Sequence, residues 1–267
     1  MKKRKVKLPF KFIITGLFII VSVCFAGIYL WGVFKNADFF KVKEIMVRGA
    51  NIDKDNLSYL MGRNIFDINL KRESRSILEA YPDYSRVDLV RVLPGRLVAD
   101  FVSRQPLALI KLYKYFAVDK DSVLFDAPVC AEGTDLPIIT GLETKIFGPK
   151  AGRQYNIKEL DLALSIIREM RLNRLLKRCR IKRIDVKNIV ETSLFIPLNA
   201  KLFPALNNNK GNIAPELLLE VKLGQDNVKE KVVILAGLLL QTKSDLADTK
   251  YIDLRFKEPV MKPKEKK

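Results

Sequence analysis

The chain has 267 residues, with 48 Lys and Arg against 30 Asp and Glu, a formal charge of +18, and no histidine. Without histidine there is no Ser-His or Cys-His nucleophile pair, no imidazole acid–base catalyst and no histidine zinc site. A hydrophobic content of 48% excludes a disordered or collagen-like chain, and three cysteines are too few for a disulfide-built miniature domain.

The first predicted element is a membrane span. Residues 1–11 hold Lys2, Lys3, Arg4, Lys5, Lys7 and Lys11 and no acid, and residues 12–34 then run without a charged side chain. A bilayer core about 30 Å thick needs roughly 20 helical residues, so 12–34 is expected to cross. The positive-inside rule makes 1–11 a cytoplasmic tail and puts the bulk of the chain outside. A cleaved signal peptide fits less well, because its apolar region is about 7–15 residues and ends in small side chains. Tyr29, Leu30 and Trp31 are bulky, and Val23 before Cys24 argues against a lipoprotein site. All acids follow the span, yet the remainder stays net basic. A solvated lysine-rich surface is the plain reading, contact with lipid headgroups or acidic wall polymer the alternative, and the topology speaks against nucleic acid. Cys130 and Cys179 are open to two readings, one disulfide or two buried thiols.

Beyond the span, Phe40, Val42, Ile45 and Val47 among charges predict a strand over 40–49, with a bulge between Val42 and Ile45 and an exit turn at Gly49. Asp53 caps a short helix carrying Leu57 and Leu60, which Gly62 stops. A second helix over 71–80 turns Ile77 and Leu78 inward and ends at Tyr81-Pro82. Strands over 87–93 and 97–102 meet at Pro94-Gly95. Strand–helix–helix–strand–strand predicts a three-stranded sheet covered on one face.

After about Leu107, short strands are expected at 109–112, 115–118, 123–125 and 136–140. A helix at 157–172 presents Leu160, Ala163, Ile167 and Met170. Strands at 181–186, 192–196 and 217–223, a polar loop at 207–212, a helix at 228–240 and a last strand at 251–256 follow. No paired carboxylates, phosphate-cradling glycines or Ser-x-x-Lys arrangement stand in a supporting context, so neither an enzyme nor a bound cofactor or metal is expected.

Several segments occur together, in order. Phe40-x-Val42-x-x-Ile45-x-Val47-x-Gly49, Asn64-Ile65-Phe66-Asp67-Ile68 and Tyr81-Pro82 resemble a polypeptide-transport-associated (POTRA) domain. Arg91-x-Leu93-Pro94 and Arg104-x-Pro106-x-Ala108 resemble the strand–turn–strand exit of the FtsQ/DivIB cell-division family. Val118-Asp119, Leu136-Pro137-x-Ile139-x-Gly141, Leu223-Gly224 with Lys231, and the terminal Tyr251-Ile252-Asp253-Leu254-Arg255-Phe256 follow in that family's order. Ser122 stands where the family usually has a turn glycine, and Pro259 follows the last strand early.

The resemblance implies an α+β protein with a cytoplasmic tail at 1–11, a single transmembrane helix at 12–34 and a POTRA-like βααββ domain at 35–108. A mixed β domain with packed helices at 109–260 and a disordered basic tail at 261–267 complete it. It further implies a non-enzymatic divisome scaffold of the bacterial inner membrane, placed at the septum. FtsB/FtsL-type coiled-coil proteins would pair with its C-terminal edge strand through Tyr251, Ile252, Asp253, Leu254, Arg255, Phe256 and Lys257. Other divisome proteins would meet the POTRA-like domain or the span. Because POTRA domains also serve as chaperone-like modules in transport, a secretion component is the alternative. A single copy, without repeated amphipathic ten-residue strands behind it, weighs against that reading.

Overall fold

The computed structural model describes residues 10–36, 38–127, 134–198, 218–241 and 246–264. Residues 1–9, Cys130, the polar loop 207–212 and residues 265–267 lie outside the described residues. The chain divides into two units, Met1–Ser103 and Arg104–Lys267.

The first unit opens with helix α1, Phe10–Asn36. Its side chains are described over residues 14–29 and at 32, and among the described residues no helix is long and apolar enough to cross a membrane. Strand β1 (Glu44–Arg48), a 3-10 helix (Lys54–Leu60), helix α2 (Leu70–Ala80) and strands β2 (Tyr84–Val92) and β3 (Arg96–Ser103) follow. The three strands lie in the order β1-β3-β2, with β1 parallel and β2 antiparallel to β3. The expected order of elements is present, with a 3-10 turn in place of the first helix. Asp53 accepts from the Asp55 N–H at 3.2 Å, while Leu57, Leu60, Ile77, Leu97, Ala99 and Phe101 bury against the sheet. At the kink before β1, the N–H groups of Lys43 and Glu44 both point at the Gly95 carbonyl. That two-against-one pattern is the irregularity expected between Val42 and Ile45. Gly49 turns with φ +71°, and a Cβ there would lie 2.2 Å from the Phe101 carbonyl oxygen, so only glycine fits.

The resembled motifs of this unit meet through one arginine. Arg91 on β2 donates from Nε to the Ile65 carbonyl at 2.7 Å and from a terminal nitrogen to the Ile68 carbonyl at 2.6 Å. It thereby satisfies two loop carbonyls between the helices that no ladder reaches.

Among the described residues, the strands of the second unit form one nine-stranded sheet. Its strands are β4 (Ala108–Lys111), β5 (Tyr115–Val118), β6 (Leu124–Asp126), β7 (Ile138–Thr140), β8 (Arg183–Asp185), β9 (Ser193–Pro197), β10 (Leu218–Lys222), β11 (Thr249–Asp253) and β12 (Val260–Pro263). Their order is β12-β11-β10-β9-β8-β7-β4-β5-β6. Helices α3 (Lys158–Leu172) and α4 (Val228–Gln241) bury their apolar faces, including Leu160, Ile167, Met170, Val232, Leu235 and Leu239, against inward residues such as Ile139, Ile184, Leu194, Val221 and Ile252.

Two expectations are corrected here. The boundary expected at 108/109 lies at 103/104, because Ala108 already opens β4 and pairs with Val118. The tail expected from 261 is a strand as far as Pro263: β12 runs antiparallel to β11, with Ile252 opposite Met261 and Asp253 opposite Val260. Partial burial of Met261 against the core holds it there.

Candidate protein-interaction site

The strand predicted to offer its backbone to a partner has both sides occupied. β11 is parallel to β10, with Val221 opposite Ile252, and antiparallel to β12. A strand between two neighbours has no free ladder positions, so the edge assigned to Tyr251–Phe256 belongs instead to Val260–Pro263. Among the described residues β12 pairs with β11 alone. Its residues are Val260 at 48% exposure, the half-buried Met261, and the exposed Lys262 and Pro263. The Lys264 N–H extends the register by donating to the Asp248 carbonyl at 2.7 Å.

The predicted contact residues divide by burial. Ile252 and Leu254 belong to the core, Asp253 is buried, and Tyr251 is half-buried. Phe256 is 63% exposed and Lys257 is exposed. Arg255 is engaged within its own chain. Its Nε and a terminal nitrogen grip both Asp253 carboxylate oxygens at 2.7–3.2 Å, and its backbone N–H donates to Oδ1 at 3.0 Å. These side-chain bonds hold the Asp253 carboxyl below the usual carboxylate range against the opposing effect of burial. The far guanidinium nitrogen lies 3.7 Å from Glu191. Arg255 is therefore a strut under the β11–β12 corner, and only its outer edge can meet a partner.

The Leu223-Gly224 motif builds the same corner. Gly224 has φ +66°, and a Cβ on it would meet the Arg255 Cγ at 3.3 Å and the Val190 carbonyl oxygen at 3.2 Å. Lys231 on α4 donates to the Leu223 carbonyl at 2.7 Å, and the Leu254 N–H to the Lys222 carbonyl at 2.8 Å. Residues far apart in sequence thus converge on the end of β10.

Sequence reasoning missed a row of outward side chains beside this edge. Arg183, Phe195, Glu220, Tyr251 and Lys262 stand opposite one another across β8 to β12, on the face away from α3 and α4. The Arg183 guanidinium lies 4.1 Å from the Phe195 ring centre and the Lys222 ammonium 4.4 Å from that of Tyr251, both within cation–π range. The period-two alternation marks each residue as outward, but only the long-range register brings them together.

Among the described residues there is no group of three or more acids and cysteines arranged to hold a metal. Burial pushes the half-buried Cys179 thiol up, away from reactive thiolate. The proposed pairing with Cys130 falls on a residue outside the described ones.

Fold and site together define a two-unit α+β protein that presents a sheet edge. No family model matches the chain. Four curated proteins do, each named cell division protein FtsQ, and three of them align over most of the chain. The protein of Syntrophotalea carbinolica is 26% identical over 247 residues, covering 90% of this chain and 78% of its own. That of Geotalea daltonii is 24% identical over 255 residues, covering 93% and 85%. That of Anaeromyxobacter sp. (strain K) is 24% identical over 238 residues, covering 84% and 71%. The chain is thus similar over most of its length to three cell division proteins, which supports a role in cell division.

Proposed function

We propose that the chain is a non-enzymatic scaffold of the division machinery, anchored in the cytoplasmic membrane by α1, with its bulk on the extracytoplasmic side at the septum. The 27 residues of α1 correspond to about 40 Å of helix, and residues 12–34 carry no charge. Phe18, Phe25, Ile28 and Tyr29 are each more than two-thirds exposed. Over its described side chains the helix is apolar around its circumference and largely exposed, which fits lipid rather than water.

The observation that carries the scaffold reading is the β12 edge. An extended segment of an FtsB/FtsL-type coiled-coil partner would add a tenth strand there, with the Tyr251–Lys262 row and the exposed Phe256 and Lys257 beside it. Each new backbone hydrogen bond contributes about 0.5–1.5 kcal/mol, so a short added strand with a few side-chain contacts reaches roughly micromolar affinity. The first unit supplies a second contact surface for other division proteins.

The test compares the full chain with one ending at Glu258, which lacks β12, in capture of an FtsB/FtsL-type segment. Loss of β12 is expected to weaken capture at least about tenfold, roughly the energy of one or two hydrogen bonds. Tighter capture by the shortened chain, whose β11 edge would then be open, assigns docking to β11. Unchanged capture moves the interface to the first unit.

A further inference from the structure

Where the first unit leaves α1, it exposes aromatic rings that its own core does not need. Phe39 is 59% exposed and Phe66 45% exposed. Between them the buried Phe40 touches both: its ring centre lies 5.1 Å from that of Phe39, edge-on, and 5.3 Å from that of Phe66. The arrangement is held firmly. The Ile65 N–H donates to the Phe40 carbonyl, the Val42 N–H to the Arg63 carbonyl, and the Gly62 N–H to the Val42 carbonyl, each at 2.9 Å. The Phe66 N–H donates to Asn64 Oδ1 at 2.9 Å, and Arg91 grips the carbonyls of Ile65 and Ile68. Met61, 45% exposed, lies next to this clip in sequence. The rings are therefore presented on a braced loop.

Chain length limits where these rings can be. Helix α1 ends at Asn36, and three further residues reach at most about 11 Å. The polar layer of a bilayer is itself about 5–7 Å deep on each side. If α1 spans, Phe39 cannot travel far from the headgroups, and Phe66 is coupled to it through Phe40. Rings at that depth settle at the boundary between headgroup and acyl chain.

We infer that Phe39 and Phe66 form a membrane-interface foot that seats the first unit on the bilayer surface. The occupant of this patch is lipid, and the inference rests on the proposed span. A foot of this kind restricts the tilt of the first unit about its tether and so orients the surface it offers to partners.

Tryptophan fluorescence of the full chain tests this in vesicles of phosphatidylethanolamine and phosphatidylglycerol, with or without a lipid carrying a nitroxide on its headgroup. The sole native tryptophan, Trp31, reports on α1 itself. In a Trp31→Phe background, F39W and F66W report on the foot, and F147W, at a position 78% exposed in the second unit, serves as reference. All three are replacements at exposed aromatic positions, and retained circular dichroism checks their folding. F39W and F66W are expected to lose at least about twofold more emission to the headgroup nitroxide than F147W, as interfacial rings should. If they are quenched no more than F147W while native Trp31 is quenched, the foot is overturned, the span stands, and the rings are left to a protein partner. If native Trp31 itself is unaffected by any lipid quencher, the span reading falls and the foot with it.

Discussion

The two ends of the nine-stranded sheet are built in opposite ways. At one end β6 is closed: the Leu124 N–H donates to the Arg153 carbonyl at 3.0 Å, the Gly152 N–H to the Leu124 carbonyl at 2.7 Å, and Gln154 Nε2 to the Asp121 carbonyl at 2.9 Å. Beneath it Arg104 and Asp119, with side chains 9% and 6% exposed, form an ion pair at 2.5 Å. At the other end β12 has no such cover among the described residues, and the corresponding pair, Arg255–Asp253, leaves its arginine 26% exposed. Edge strands are aggregation hazards that folds normally cover, shorten or charge. One end follows the first course. The other keeps a four-residue strand bounded by Pro259 and Pro263 and marked with Lys262. A short, proline-bounded edge limits how far and in which register another strand can pair, which suits one partner better than indiscriminate association.

The contrast breaks first at the closed end. Arg104→Leu strands a buried carboxylate that also accepts the N–H groups of Asp121 and Val123. It should cost about 3–5 kcal/mol, read as a lowered midpoint in urea. At temperatures where the variant remains folded, capture at β12 should be unchanged. A cost below about 1 kcal/mol would mean that the closed end is no more rigid than the open one.

At the open end, Gly224→Ala places a methyl against Arg255 in a left-handed backbone. A cost of about 1–2 kcal/mol is expected, together with weaker partner capture because the strut under β11 shifts. Stability loss without any change in capture would detach the corner from the docking edge.

Asp253→Asn gives a smaller effect with a distinctive pH dependence. Because Arg255 holds the folded carboxyl below its unfolded value near 3.9, its contribution is present above about pH 4 and is lost as the pH falls through the depressed folded value. The deficit of the variant should therefore be about 1–2 kcal/mol near neutral pH and should vanish in acid. A deficit independent of pH from 7 to 2 would assign the effect to packing. Arg255→Glu, by contrast, sets a like charge against Asp253, so a loss of capture in that variant would not isolate a partner contact.

The fold was legible where periodicity is strong and the pairing local. β5 has its expected bounds and α3 lies within one residue of them, because β5 is a short apolar run buried on both faces and α3 carries an apolar stripe, each closed by clear turns. β12 was not legible, since Pro259, Val260, Met261, Lys262 and Pro263 give no alternation and two chain-breaking signals, and only long-range pairing makes them a strand. The site was legible in part for the same reason. The terminal motif lies beside the β12 edge, with Phe256 and Lys257 exposed, but the open backbone is not its own. That Asp253 would hold Arg255, and that Gly224 would make room for it, depends on a parallel strand thirty residues earlier.

The smallest change probes how the closed end tolerates a left-handed serine. Ser122 has φ +60°, the backbone that explains why the resembled family favours glycine there, and its hydroxyl donates to Asp161 Oδ1 at 3.2 Å. The left-handed seat costs a non-glycine residue about 1–2 kcal/mol. The hydrogen bond returns about 0.5–1.5 kcal/mol, and serine's stiffer unfolded chain adds about 0.4–1 kcal/mol. These terms nearly cancel, so Ser122→Gly should change stability by less than about 1 kcal/mol. Asp161→Ala in the native background should cost about 1 kcal/mol, yet cost almost nothing once Ser122 is glycine, which a double-mutant cycle in urea can measure. An equal cost in both backgrounds would show that the hydroxyl does not support the strained turn, and that the hydrogen bonds around β6 alone keep that end shut.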